Sequence, residues 1–317
     1  MLRLPDDWVW DSCVADDGHR YHLFFLKAPR ALGDTRLRHT GARIGHATST
    51  DLTHWDVHHD ALAPAAGRWD DLALWTGSVA RGDDGVWRLY YSALSTSRGL
   101  GVLDQRLGMA ESDDLFTWRR IGSAPLIAPD RRWYSTLERD PAVSGTWRDP
   151  FVFEDPAGDG WHMLITARAA GAPRLCDGVL GHARSADMRV WELGPPVSLP
   201  GAGFGELEVS QVRIVDGQPL LMFTCHPDQQ SAKQLSRFGR FCTWSVAGRS
   251  PAGPWDLDDA RPFRSEPTLT AAPLVQRRDG SWALLGFRNL EPDGAARLEV
   301  VDPIPVELRE GELIDLR

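Results

Sequence analysis

The sequence predicts an all-β fold, a five-bladed β-propeller built as one domain over residues 1–317, and three features lead to it. A motif ending in tryptophan returns along the chain at nearly even spacing. Five apolar, strand-like runs follow Gly or Asp punctuation. Helix-length amphipathic periods are hard to find, so the apolar residues are patterned for sheets.

The repeat comes first in the argument. Gly45-His46-Ala47-Thr48-Ser49-Thr50-Asp51-Leu52-Thr53-His54-Trp55 recurs as Gly108-Met109-Ala110-Glu111-Ser112-Asp113-Asp114-Leu115-Phe116-Thr117-Trp118 and again from Gly181 to Trp191. Ser250-Pro251-Ala252-Gly253-Pro254-Trp255 is a weaker fourth copy. The tryptophans are 63, 73 and 64 residues apart, too long a period for a solenoid and suited to a four-stranded blade with decorated loops. The motif itself is expected to be structural: the Ser or Asp bonds nearby backbone in a turn and the Trp packs between sheets.

About 30 residues upstream of each repeated tryptophan lies an apolar strand, Tyr21 to Phe25, Trp87 to Tyr91, Trp161 to Ile165 and Pro219 to Phe223, and Trp282 to Gly286 completes the set at five. Five such strands imply five blades. An inner strand precedes each one, at Trp10 to Ala15, Trp75 to Ala80, Asp149 to Phe153, Glu208 to Val215 and Ala272 to Gln276. Inner strands of a propeller converge on a central channel, which is expected to bring Asp11, Asp149 and Glu208 to one mouth. The connections 29–41, 95–107 and 124–145 are longer than blade turns require and are candidates for shaping a binding site.

Composition narrows the function. With 42% hydrophobic residues the chain can bury a sizeable core. Its 44 acids against 35 bases give a net charge of −9 without a basic run, which argues against a nucleic-acid partner. The first residues lack the apolar stretch of a secretory signal and no apolar run has membrane-spanning length, so no membrane partner and a cytoplasmic location are expected. Cys13, Cys176, Cys225 and Cys242 show no zinc-type spacing and are expected to be reduced. Fourteen tryptophans are many for this length; they suit a core, or a flat face on which a sugar ring stacks.

Three acids at the heads of apolar strands suit glycosyl chemistry. Retaining cleavage needs a carboxylate nucleophile and a carboxylic acid about 5 to 5.5 Å apart. A third carboxylate beside the developing positive charge stabilises the transition state more than the ground state. Each acid alone could be a capped turn or a surface salt bridge. Set among apolar neighbours, it must be satisfied by partners or functional.

Val9-Trp10-Asp11-Ser12 followed by Asp17-Gly18, then Trp75-Thr76-Gly77-Ser78, Trp147-Arg148-Asp149-Pro150 and Glu208-Val209-Ser210-Gln211 closely resembles the ordered motif set of glycoside hydrolase families 68 and 32, which include levansucrases, inulosucrases and invertases. The resemblance covers almost the whole chain. It implies that Asp11 is the nucleophile, Asp149 the transition-state stabiliser and Glu208 the acid/base of a β-fructofuranosidase or fructosyltransferase working through a covalent fructosyl intermediate. It also implies that Trp75 and Ser78 line the sugar pocket and that Arg148 binds hydroxyls or orients the acids. Cys13-Val14 replaces the Trp-Pro of family 68, and Ser210 stands where a proline is usual. No C-terminal β-sandwich of the family 32 kind is expected after the propeller.

Other positions remain open at this level. Glu206 lies two residues before Glu208 and is either the acid in its place or a substrate ligand. Arg139-Asp140-Pro141 repeats the Arg-Asp-Pro motif without an apolar strand after it and reads as a loop. His226 and Arg288 follow the apolar strands of the last two blades and are substrate ligands or structural hydrogen-bonders; Trp10 packs on sugar or fills core. The partner is expected to be a small-molecule or oligosaccharide substrate, with no cofactor and no metal. Two rival readings remain: an inverting, arabinan- or xylan-active furanosidase of family 43, and a carbohydrate-binding propeller without catalysis.

Overall fold

A computed structural model describes residues 1–99, 103–138, 145–290 and 296–317. The Arg139-Asp140-Pro141 segment lies outside the described residues. The chain is folded mostly into antiparallel sheet, and one seven-residue α-helix, Ala232–Phe238, interrupts it among those residues.

Strands pair in chain order. The first sheet is β1 (Asp7–Asp16), β2 (Tyr21–Pro29), β3 (Arg43–Ser49) and β4 (Asp56–Val57); the second is β5 (Ala73–Arg81), β6 (Trp87–Leu94), β7 (Arg106–Ser112) and β8 (Arg119–Ile121). The third is β9 (Trp147–Glu154), β10 (Trp161–Arg168), β11 (Gly178–Ser185) and β12 (Glu192–Gly194); the fourth is β13 (Glu208–Val215), β14 (Gln218–Thr224), β15 (Thr243–Ala247) and β16 (Arg261–Pro262). The last part of the chain makes two pieces. β17 (Leu269–Thr270), β20 (Phe287–Leu290) and β21 (Ala296–Val300) form a three-stranded sheet, while β18 (Leu274–Gln276), β19 (Trp282–Leu284), β22 (Ile304–Arg309) and β23 (Glu312–Asp315) form a four-stranded one. The expected inner strand over 272–276 is thus shorter and broken.

Apolar clusters fill the junctions between consecutive sheets. Trp10, Phe24, Leu74 and Leu89 join the first sheet to the second, and Tyr90, Met109, Trp147 and Ile165 the second to the third. Leu164, Leu180, Phe223 and Trp244 join the third to the fourth, and Met222, Leu220, Leu274 and Ile304 the fourth to the last strands. Val9, Leu23, Leu285 and Val300 then join the last strands back to the first sheet. Alternate residues of each strand serve different junctions, as the two-residue period requires.

The tryptophan repeat is a turn. Ser49 Oγ accepts from Leu52 N at 2.8 Å and Asp51 Oδ1 accepts from His54 N at 2.8 Å, while Leu52 takes a left-handed φ of 65°. Ser112 and Asp114 around Leu115 repeat the arrangement, as do Ser185 and Asp187 around Met188. The tryptophans pack against the preceding sheet, Trp118 edge-on to Phe24 and Trp191 edge-on to Tyr90.

One irregularity recurs in every innermost strand. Each carries one extra residue against its neighbour: at Asp11 in β1, Thr76 in β5, Asp149-Pro150 in β9, Val209-Ser210 in β13, and between Thr270 and Leu274 where β17 passes to β18. Four of these bulges place a non-glycine residue at positive φ: Asp11 at 21°, Asp149 at 55°, Val209 at 47° and Ala271 at 42°. Bulges re-aim side chains, and strained backbone of this kind gathers at functional sites. At the second bulge a Cβ on Gly77 would stand 2.1 Å from the Tyr90 carbonyl oxygen, so only glycine fits there.

Candidate active site

The bulged strand heads open into one cleft. Asp11, Asp149, Glu206 and Glu208 line a cavity of about 350 Å³ together with Trp10, Trp75 and Arg148. A second lobe of about 390 Å³ shares Trp10, Asp11, Glu206 and Glu208 and adds Arg38, His226 and Asn289. The three acids that head distant strands, nearly 200 residues apart in the chain, therefore meet, and Glu206 joins them.

Arg148 organises the acids. Its Nη2 donates to Glu208 Oε1 at 2.7 Å and also to Glu206 Oε2, and its Nε lies 3.5 Å from Asp149 Oδ2. Gln105 Oε1 accepts from Arg148 Nη1 at 3.2 Å and from the backbone N of Trp147 at 3.2 Å, fixing the guanidinium from behind. Asp149 is locked in place. Its Oδ2 accepts from Val209 N at 3.1 Å and lies 3.0 Å from Thr166 Oγ, and its own N–H donates to Ser92 Oγ at 2.8 Å. Burial lifts the proton affinity of Asp149, against the pull of Arg148 and of those hydrogen bonds.

The two glutamates titrate in opposite directions. Burial pushes the Glu208 carboxyl well above the usual range, and the charges of Glu206 and Asp149 add to the rise against Arg148. For Glu206 burial also acts upward, but Arg148, a hydrogen bond with Glu208 and Arg168 outweigh it and hold this carboxylate well below the usual range. Two neighbouring acids whose environments drive them apart divide the protonated and ionised roles. Glu208 keeps the proton.

Asp11 is pushed up to about 7, first by burial and then by Asp149, against Arg38, His226 and Arg148. Arg38 also lies over the Trp10 ring, 5.7 Å from its centroid. His226 Nε2 is 3.8 Å from Glu208 Oε2; burial lowers its proton affinity, but Cys242, Asp228 and Asp11 reverse the sign and the net shift is upward. Trp75 donates from Nε1 to the His39 carbonyl at 2.7 Å, and its indole faces the cavity.

Two expected ligands lie elsewhere. Ser78 does not line either lobe: its hydroxyl donates to the Pro150 carbonyl at 2.9 Å and accepts from Val152 N at 2.9 Å, clamping β5 to β9. Gln211 makes the same pair of bonds from β13, to Ala272 O and from Leu274 N, which marks Ser78, like Gln211, as an inter-strand clamp. Arg288 is likewise corrected. Strand alternation turns Phe287 and Asn289 into the cleft and sends Arg288 the other way, onto Glu266 at 2.9 Å.

Several cleft residues escaped the sequence reading. Arg38 and His39 arrive on the 3₁₀ turn Thr35–His39 inside the long 29–41 connection, whose length was the available signal. Arg168 ends β10, is 2% exposed, and bridges Asp177 at 2.8 Å to Glu206 at 2.7 Å. Nothing in its local sequence marks it.

Comparisons with known proteins agree with this architecture. Residues 12–233 match the family model described as the glycosyl hydrolases family 32 N-terminal domain. Over 199 residues the chain is 28% identical to a raffinose invertase of Escherichia coli, covering 60% of this chain and 39% of that protein. A sucrose-6-phosphate hydrolase of the same organism is 27% identical over 198 residues, 60% of this chain and 38% of the relative. The matched stretch thus spans about two fifths of the length of these curated relatives. Among solved structures, an inulosucrase from Halalkalicoccus jeotgali bound to kestose superposes with a TM-score of 0.76 at 22% identity, covering 98% of this chain and 87% of that one. Bacillus subtilis levansucrase gives 0.76 at 13% identity, with 99% and 87% covered. At such identities the likeness establishes the fold.

Proposed function

The chain belongs to glycosyl hydrolases family 32 through its N-terminal domain, and on that premise we propose that it is a retaining glycosidase or transglycosidase acting on β-fructofuranosides such as sucrose or short fructo-oligosaccharides. We further propose that its sheets are the blades of a single five-bladed propeller with the cleft at the channel mouth.

In this reading the Asp11 carboxylate attacks the anomeric carbon of the fructosyl unit while Glu208 gives its proton to the departing glycosidic oxygen. A covalent fructosyl–Asp11 ester forms and the leaving sugar departs as an alcohol. Glu208, now ionised, takes a proton from water or from an acceptor hydroxyl, whose oxygen attacks the same carbon and releases Asp11. Asp149, immobilised by Val209 N and Thr166, stands beside the positive charge that develops on the ring. Arg38, His226 and Arg148 favour the ionised form of Asp11 that the attack requires.

The observation that carries the proposal is the geometry around Arg148: Glu206 and Glu208 share one guanidinium in a cleft that Asp11 also lines, with burial driving the proton affinity of Glu208 up and the neighbouring cations holding that of Glu206 down. The test is turnover of sucrose, inulin and levan, with products resolved by anomeric NMR. Asp11→Asn and Glu208→Gln should each lose roughly 10²-fold or more in kcat. No activity on any fructoside, or an Asp11→Asn protein as active as the parent, would overturn it.

A further inference from the structure

A second cavity, of about 50 Å³, lies along the innermost strands beyond the acids, walled by β1, β5, β9, β13 and Pro273 between β17 and β18. Ser12 and Cys13 come from β1, Gly77 from β5, Phe151 from β9, Ser210 and Arg213 from β13. The space holds a few water-sized spheres.

Its polar lining is one-sided. The Arg213 guanidinium spends Nε on the Leu274 carbonyl at 3.1 Å and Nη1 on the Val212 carbonyl at 3.2 Å, and it lies 5.1 Å from the Phe151 ring centroid. Among the described residues no carboxylate forms an ion pair with it, and burial without a counter-charge lowers its affinity for its proton, to about 10. Ser210 is 2% exposed and its Oγ has no hydrogen-bond partner. Cys13 cannot supply the missing charge, because burial pushes its thiol up to about 12 and keeps it neutral. Asp149 touches this cavity too, but its Oδ2 is bonded to Val209 N and Thr166 on the side of the catalytic cleft.

A half-buried guanidinium with no carboxylate partner and a buried, idle hydroxyl line one cavity, and an anion there would satisfy both. We propose that this cavity binds a small monovalent anion of halide size, held between the Arg213 guanidinium and the Ser210 hydroxyl. Both ligands lie on β13, the strand that Glu208 heads. The site does not depend on the catalytic reading.

Thermal unfolding tests it on the full chain. At fixed pH and ionic strength, replacing sodium gluconate by sodium chloride or bromide should raise Tm saturably, by roughly a few °C. Ser210→Ala should raise the half-saturating concentration several-fold, and Arg213→Gln should abolish the response. Should Arg213→Gln fail to fold, bromide-soaked crystals of the parent provide the second readout, an anomalous peak between Arg213 and Ser210. Equal Tm values in the three salts, a rise that never saturates, an Arg213→Gln protein that still responds, or a cavity holding only water would each overturn the proposal.

Discussion

Arg168 donates from Nη2 to Glu206 Oε1 at 2.7 Å, so the carboxylate that shares Arg148 with Glu208 is itself pinned by a second guanidinium. Two cations on Glu206 keep it ionised and leave the pair's one proton on Glu208. Removing one cation changes where that proton sits.

Arg168→Gln should therefore shift the proton toward Glu206 and lower the affinity of Glu208 for it. The alkaline limb of kcat should move to lower pH. Activity on sucrose, whose leaving oxygen needs the proton, should fall roughly 10²-fold, while a nitrophenyl fructofuranoside, whose leaving group departs without much help, should lose far less. Equal losses on both substrates with an unmoved limb would reduce Arg168 to a purely structural residue.

Arg38 is the leading charge that opposes the rise of Asp11 to about 7. With Arg38→Leu that opposition goes, and the proton affinity of Asp11 increases. Since the attack needs the ionised carboxylate, activity disappears as pH falls through this value, and the acid limb of kcat/KM should move to higher pH. A profile that superposes on the parent's would detach that limb from Asp11.

How much of this was legible in the chain depends on what each residue's role rests on. Asp11, Asp149 and Glu208 announce themselves because an acid at the head of an apolar strand has few bland explanations, and the tryptophan turns repeat in sequence as they do in space. The bulges beneath the acids were hidden, since a bulge is a mismatch of register between two strands and neither strand states it alone. Ser78 was misplaced for the same reason: which neighbour claims its hydroxyl is decided by β9, more than seventy residues away. Arg288 fell on the wrong face because its partner, Glu266, sits in a connection with no strand pattern. Arg168 acts through Asp177 and Glu206, and only the assembled sheets bring those together.

The two corrected residues carry their own prediction. Ser78→Ala orphans the buried Val152 N–H and the Pro150 carbonyl and should cost about 1–3 kcal/mol of stability. KM for a fructoside should stay within about two-fold of the parent, because no lobe of the cleft touches that hydroxyl. Arg288→Ala should behave alike in kinetics. Denaturant unfolding and steady-state kinetics on the same preparations separate the outcomes: a large KM change in either variant would return that residue to the site.

Two histidine relays contribute to the acid stability. Asp17 Oδ2, His22 and His46 are linked at 3.1 and 3.0 Å in the first sheet, and Asp155 Oδ2, His162 and His182 at 2.9 and 2.7 Å in the third. Burial, and then the neighbouring histidine, lowers His46 to about 3 and His182 to about 4. Both folded values lie below the unfolded value of about 6.5, so the unfolded chain takes up protons first as pH drops. The stability these histidines contribute is complete above about 6.5 and is lost progressively as pH falls toward 4. For two such groups the slope reaches about 2.7 kcal/mol per pH unit. Asp17 and Asp155 are themselves lowered and act only below the carboxylate range, but Asp11 and Glu208 are raised and His39 is lowered to about 4, so the share of His46 and His182 is read as the difference between parent and variant in urea unfolding from pH 6.5 to 4.5. His46→Phe with His182→Phe, which keeps an aromatic ring in each stack beside Phe24 and Phe153, should flatten the curve over that interval. An unchanged slope in the double variant would place the acid sensitivity elsewhere.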